Sequence, residues 1–186
     1  DTSASRGLGD VYKRQDYVLP MDFQSSGSDI LMVGERKDEL GGSIYYQLLG
    51  ELGANVPKPD FVEVRSQIFA VTDCAEGDLI LSCHDISDGG IATSIAEMTF
   101  RKNIGCLVKI PVDLQDHRIL FSDRGGFVIE TKKENSENVL EVFKAHGLHA
   151  SKIGETGGEY IQLNETIKVK VLEARHRWEN GLREKL

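Results

Sequence analysis

The stretch "LILSCHDISDGGIATSIAEMTF", Leu79 to Phe100, decides the fold class. Its opening run, LILSCHD, is short and apolar and reads as a buried strand. Its end places Ile91, Ala92, Ile95, Ala96 and Met98 at helical spacing, so one helix face packs against a sheet. Between the two lie His84, Asp85, Ser87, Asp88, Gly89 and Gly90. A strand that passes to a helix through a glycine-rich turn is the repeating unit of an α/β fold.

The same sequence of signals occurs upstream. "DILMVG" (29–34) is a buried strand closed by Gly34, "ERKDELGG" is a polar loop, and "SIYYQLLGELG" (43–53) reads as a helix stopping at Gly53. After the break "VPKPD", residues 61–74 read as a helix with Val64, Ile68 and Val71 on one face. "IGCLVKI" (104–110) and "GGFVIET" (125–131) are further strands. "ENSENVLEVFKAHG" (134–147) is a helix with Val139, Val142 and Phe143 as its apolar stripe and Gly147 as its stop. Short strands near Ile153, Ile161 and Val169 follow. Val171, Ala174, Trp178 and Leu182 line one face of a closing helix. The expected fold is an α/β layered sandwich, a mixed sheet with helices, forming a single domain.

Both loops, "DELGGS" with Gly41, Gly42 and Ser43, and "HDISDGG" with Ser87, Asp88, Gly89 and Gly90, are candidate phosphate loops. At a strand-to-helix junction free N–H groups point outward, the helix dipole favours an anion, and glycine lets a ligand approach closely. Neither loop matches the P-loop or the dinucleotide fingerprint. Asp85 and Asp88 repel a bare phosphate, so a phosphate here calls for a divalent cation between, as Mg²⁺ is held by one or two carboxylates plus phosphate oxygens. The bland alternative is a capped helix, with Ser87 as N-cap and Asp88 in the first turn. Arg124, in "FSDRGG" (121–126), either holds a phosphate or pairs with Asp123. His84 reads as a hydrogen-bonded structural histidine, and His117, His146, His149 and His176 show no metal-ligand spacing.

The 186 residues carry a formal charge of −8 with no run of Lys or Arg able to track a nucleic-acid backbone, which argues against a nucleic-acid partner. Three cysteines, Cys74, Cys83 and Cys106, without C-x-x-C spacing point to buried free thiols in a reducing compartment. No apolar run reaches the length of a membrane span and no signal-peptide pattern opens the chain, so no membrane partner and a cytoplasmic location are expected. Residues 1–15, "DTSASRGLGDVYKRQ", lack any periodicity and read as a non-native or disordered leader.

Three landmarks occur in order: "VGERKDELGGSIYY", "SCHDISDGGIATSIAEMTF" and "LFSDRGGFVIE", followed by "KIGE" and a closing helix with Trp178. Together they resemble the last domain of the phosphoribosylformylglycinamidine synthase family, a C-type domain of the aminoimidazole ribonucleotide synthetase superfamily, from about Met21 to Arg183. The resemblance implies the C-terminal piece of an ATP-dependent C–N ligase of purine biosynthesis, inactive alone. Such an enzyme converts formylglycinamide ribonucleotide and ammonia to formylglycinamidine ribonucleotide. ATP and Mg²⁺ are its cofactors, a glutaminase domain or subunit supplies the ammonia, and the remaining synthetase domains are partners.

On this resemblance residues 16–27 match the end of a preceding N-type domain or a linker, and 28–186 the C-type domain. No catalytic residue is carried over. By internal duplication Asp85 is the candidate magnesium ligand. The family's S-E-S-Q-S-R pattern is replaced by Ser122, Asp123, Arg124, Gly125 and Gly126. Selenophosphate synthetase, thiamine-monophosphate kinase and hydrogenase-maturation factors share the domain type. A purely architectural role, buttressing a neighbouring domain, is the non-enzymatic alternative.

Overall fold

The structure is a computed structural model that describes residues 18–181. The leader assigned to 1–15, Asp16, Tyr17 and Leu182 of the closing helix lie outside the described residues. Seven strands form one sheet: β1 Asp29–Val33, β2 Ser82–Asp85, β3 Cys106–Val108, β4 Phe127–Thr131, β5 Ala150–Thr156, β6 Tyr160–Leu163 and β7 Ile167–Lys170, in the order β2-β4-β1-β5-β3-β6-β7. Only the β3–β6 pairing is parallel, so the sheet is mixed, as expected.

The helices are α1 Ile44–Leu48, α2 Phe61–Glu76, α3 Gly90–Phe100, α4 Asp116–Phe121, α5 Ser136–Ala145 and α6 Val171–Asn180. All five residues of β1 are buried, because helices cover both faces of the sheet there. Ile30 and Met32 join the core under α3, α4 and α6, whereas Leu31 and Val33 join a second core under α2 and α5. That two-sided burial explains why "DILMV" is apolar throughout rather than alternating.

Several elements differ from the sequence reading. Helix α1 ends at Leu48, because Gly50, with φ +72°, turns the chain before Gly53 is reached. The strand expected over 104–110 narrows to β3. Helix α4 has no counterpart in the sequence reading. On α2 the buried residues are Gln67, Ala70 and Cys74, while Val64 and Ile68 stay exposed and only Val71 packs against the core. Trp178 is more than half exposed, yet its ring lies 5.6 Å from that of Phe100 and closes α6 onto α3.

Residues 22–27 pack into this domain. Phe23 is fully buried and its N–H bonds the Met98 carbonyl. The N–H groups of Gln24 and Ser25 donate to the Glu130 carboxylate at 2.6 and 3.0 Å, and Gly27 N–H reaches the Thr156 carbonyl. Pro20 accepts from Cys83 N–H, covering part of the β2 edge, and at the other edge β7 carries Lys168 and Lys170, which discourage pairing with a further strand.

Candidate functional site

Strands β1 and β2 both run antiparallel to β4 and flank it, so their carboxyl ends lie at one end of the sheet. Phe127, the first residue of β4, pairs with Val33 on one side and Asp85 on the other. The segment entering β4, residues 121–126, therefore lies between the two glycine loops. This register brings together three segments that are far apart in sequence.

Asp123 occupies their meeting point. Its Oδ1 accepts the Gly89 N–H at 2.9 Å, and its carboxyl group lies close to the N–H groups of Ile44 and Gly90. The first N–H groups of α1 and α3 thus face a carboxylate from the chain itself, which satisfies the same dipoles that would attract a phosphate. Four further loop N–H groups are bonded to backbone carbonyls. Gly41 donates to the Asn55 carbonyl at 2.7 Å, Gly42 to Leu52 at 2.8 Å, Ser43 to Leu40 at 3.1 Å, and Gly90 to Ser87 at 2.9 Å.

Ser43 is the N-cap of α1, its Oγ accepting from Tyr46 N–H. Ser87 is not the cap of α3, and Asp88 does not lie in its first turn. The helix begins at Gly90 with Gly89 as N-cap in the left-handed region, φ +83°, because Asp123 supplies the capping oxygen from outside. Gly90, at φ +67°, lies so close to α4 that a Cβ would stand 2.6 Å from the Leu120 carbonyl oxygen. Packing against α4 by itself requires glycine at this position.

Asp85 is exposed and lies beside His84, whose Nδ1 faces the Asp85 carbonyl at 2.7 Å. His84 Nε2 meets Glu97 Oε2 at 3.0 Å, and Trp178 Nε1–H donates to the other Glu97 oxygen at 3.2 Å. His84 is thus a structural link between β2, α3 and α6. Among the described residues no group of three His, Cys, Asp or Glu is placed to hold a metal ion. In this arrangement Asp85 and the N–H groups of Ser87 and Asp88, which have no protein partner among the described residues, are what would face a magnesium-bridged phosphate, while the N–H groups of Gly89 and Gly90 are already bonded.

Arg124 pairs with Glu39 at 2.7 Å and approaches Glu63 at 4.0 Å, rather than pairing with Asp123. Burial pushes the thiols of Cys83 and Cys106 up to about 12 and that of Cys74 up to about 11, which keeps all three inert.

Desolvation raises the Asp123 carboxyl above its ordinary value, with Asp88 adding repulsion and the Gly89 N–H bond opposing both. A carboxyl raised on folding favours the protonated form of the native state. Its contribution is fully present below the unfolded value and declines as pH rises through the folded one. Asp123→Asn, which keeps a carbonyl acceptor, should flatten that part of the curve of unfolding midpoint against pH. Asp123→Ala should cost about 1 kcal/mol as a lost cap. An unchanged pH curve in the Asn variant would refute this assignment.

Sequence reasoning singled out both loops but missed their convergence on Asp123. It also passed over Glu39, Glu130 and Arg36, which interleave with polar loop residues and carry no periodic signal.

A model of the family described as AIR synthase related protein, C-terminal domain, matches residues 25–163. The chain is 33% identical over 174 residues to the phosphoribosylformylglycinamidine synthase subunit PurL of Methanothrix thermoacetophila, covering 90% of this chain and 23% of that relative. With the same subunit of Thermoplasma acidophilum it shares 36% over 167 residues, 86% of this chain and 21% of the relative. The chain spans less than a quarter of the length of these relatives. The solved structure of T. maritima PurL complexed with FGAR superposes with a TM-score of 0.73 at 20% identity, over 86% of this chain and 30% of that one, and shows the shared fold.

Proposed function

The chain belongs to the family of AIR synthase related protein C-terminal domains, and on that footing we propose that it serves as a structural domain of a phosphoribosylformylglycinamidine synthase. In this reading the assembled enzyme is a cytoplasmic, ATP- and Mg²⁺-dependent ligase. It converts formylglycinamide ribonucleotide to formylglycinamidine ribonucleotide with ammonia from a glutaminase partner. The chemistry belongs to other parts of that assembly. The relatives named PurL, matched over nearly the whole described chain, support the synthetase role.

The observation that carries the structural role is the closure of both glycine loops on Asp123 and on backbone carbonyls. A working phosphate loop keeps its N–H groups available for the ligand. Here those of Gly41, Gly42, Ser43, Gly89 and Gly90 are spent on intramolecular bonds at the starts of α1 and α3. Asp85 then acts as a surface carboxylate beside His84.

The test is a chimera in which residues 25–163 replace the matching segment of the Thermoplasma acidophilum relative. Synthesis of formylglycinamidine ribonucleotide should persist and should survive Asp85→Ala. Calorimetry of the 186-residue chain with Mg-ADP should show only heats of dilution. An inactive but folded chimera would refute the synthetase role. Tight Mg-ADP binding abolished by Asp85→Ala would refute the structural one.

A further inference from the structure

Helix α2 is the reverse of an ordinary surface helix. Its buried side is Gln67, Ala70 and Cys74, whereas Phe61, Val62, Ile68 and Phe69 stand outward at 80%, 76%, 51% and 48% exposure. At 100° per residue these four, with Arg65 among them, fall on one continuous strip opposite the buried side. Helix α5 covers the same core and has the usual arrangement, with Val139 and Phe143 buried and Glu137, Asn138, Glu141 and Lys144 outward. The apolar strip is therefore particular to α2 and is not required by the core beneath it.

At about 150–200 Å² for each large side chain, the four residues leave on the order of 450 Å² of apolar surface uncovered on one helix. That matches the apolar share, a little over half, of the roughly 800 Å² that each partner gives to a standard interface. The charges along the strip select the partner. Arg65 lies in its first half and stands 5.3 Å from the centre of the Phe69 ring, and Glu76 lies at its end without an ion-pair partner among the described residues. Asp73, by contrast, is held by His146 at 2.7 Å. Two copies of α2 crossing antiparallel bring Arg65 of each opposite Glu76 of the other, with Ile68 and Phe69 at the crossing. A parallel pair would set like charges together. A twofold axis makes both contacts at once, so the strip is complementary to itself.

We propose that this strip of α2 is the interface of a symmetric dimer of two copies of the chain, with the two helices antiparallel. The proposal does not depend on the synthetase role.

The test is sedimentation equilibrium of the 186-residue chain from about 1 to about 100 μM at about 0.15 M salt. A monomer–dimer equilibrium with Kd in the micromolar range is expected, without larger species, because a twofold interface closes. Phe69→Glu places a carboxylate at the crossing and should raise Kd about a hundredfold, with folding confirmed by circular dichroism. Arg65→Glu and Glu76→Arg each set like charges opposite one another and should each raise Kd roughly tenfold. An equal mixture of those two variants restores both opposite-charge contacts and should return Kd to that of the unsubstituted chain. A monomer at the highest concentration, the result expected if another part of a longer synthetase covers α2, overturns the proposal. Larger open assemblies, a dimer retained in folded Phe69→Glu, or a mixture that restores nothing also overturn it.

Discussion

Replacing Glu130 with alanine should cost about 3–5 kcal/mol of folding stability, the largest effect expected of any single side chain here. Glu130 is fully buried in β4, and its carboxylate accepts from Gln24 N–H, Ser25 N–H and the Ser82 hydroxyl, the last at 2.9 Å. Removing it leaves two backbone donors and a hydroxyl buried without partners and opens a cavity against β2. Each orphaned donor costs about 1–3 kcal/mol, and relaxation or entering water recovers part of the total. Glu130→Gln keeps one acceptor oxygen and should lose less than half as much. Urea unfolding followed by circular dichroism measures both. Equal losses would show that the charge, rather than the acceptor count, holds the segment.

The second large effect is expected at Gly90. A Cβ there would meet the Leu120 carbonyl oxygen at 2.6 Å and Phe121 backbone atoms at 2.8 Å, and φ is +67°. Backbone atoms of a packed helix do not yield as a flexible side chain does, so α3 must move away from α4. Gly90→Ala should therefore destabilise by about 3 kcal/mol, summing left-handed strain and overpacking. Gly42→Ala, at φ +76° with open space around it, should lose only about 1 kcal/mol. The contrast separates a glycine required by packing from one required by conformation alone. Similar losses at the two positions would contradict the contact with α4.

Much of this was legible in the sequence, for reasons that particular elements make plain. The runs at β1 and β4 are apolar and bounded by glycine or charge, so burial and length marked them, whereas the strand expected over 79–85 narrows to the polar β2. Helix α5 was equally clear because Val139 and Phe143 repeat at helical spacing and are buried, with Gly147 as its stop. Helix α4 is only six residues long, too short to show a period. On α2 the apolar stripe suggested the wrong face, because the inward positions are filled by Gln67, Ala70 and Cys74. The candidate site was legible in part: spacing showed two helix mouths suited to an anion, but not that Asp123, 34 residues from Gly89, would bond to the second of them.

The position of β5 has a consequence for how the chain is made. This strand alone joins the β2-β4-β1 half of the sheet to the β3-β6-β7 half. During synthesis, the first half is complete in sequence once Thr131 has emerged, but β3 has no strand to pair with until residues 150–156 follow. The nascent chain must therefore carry β3 and the open edge of β1 unpaired over that interval, a period of exposed strand edges. Translation speed between residues 131 and 156 should govern how much of this protein reaches its native state.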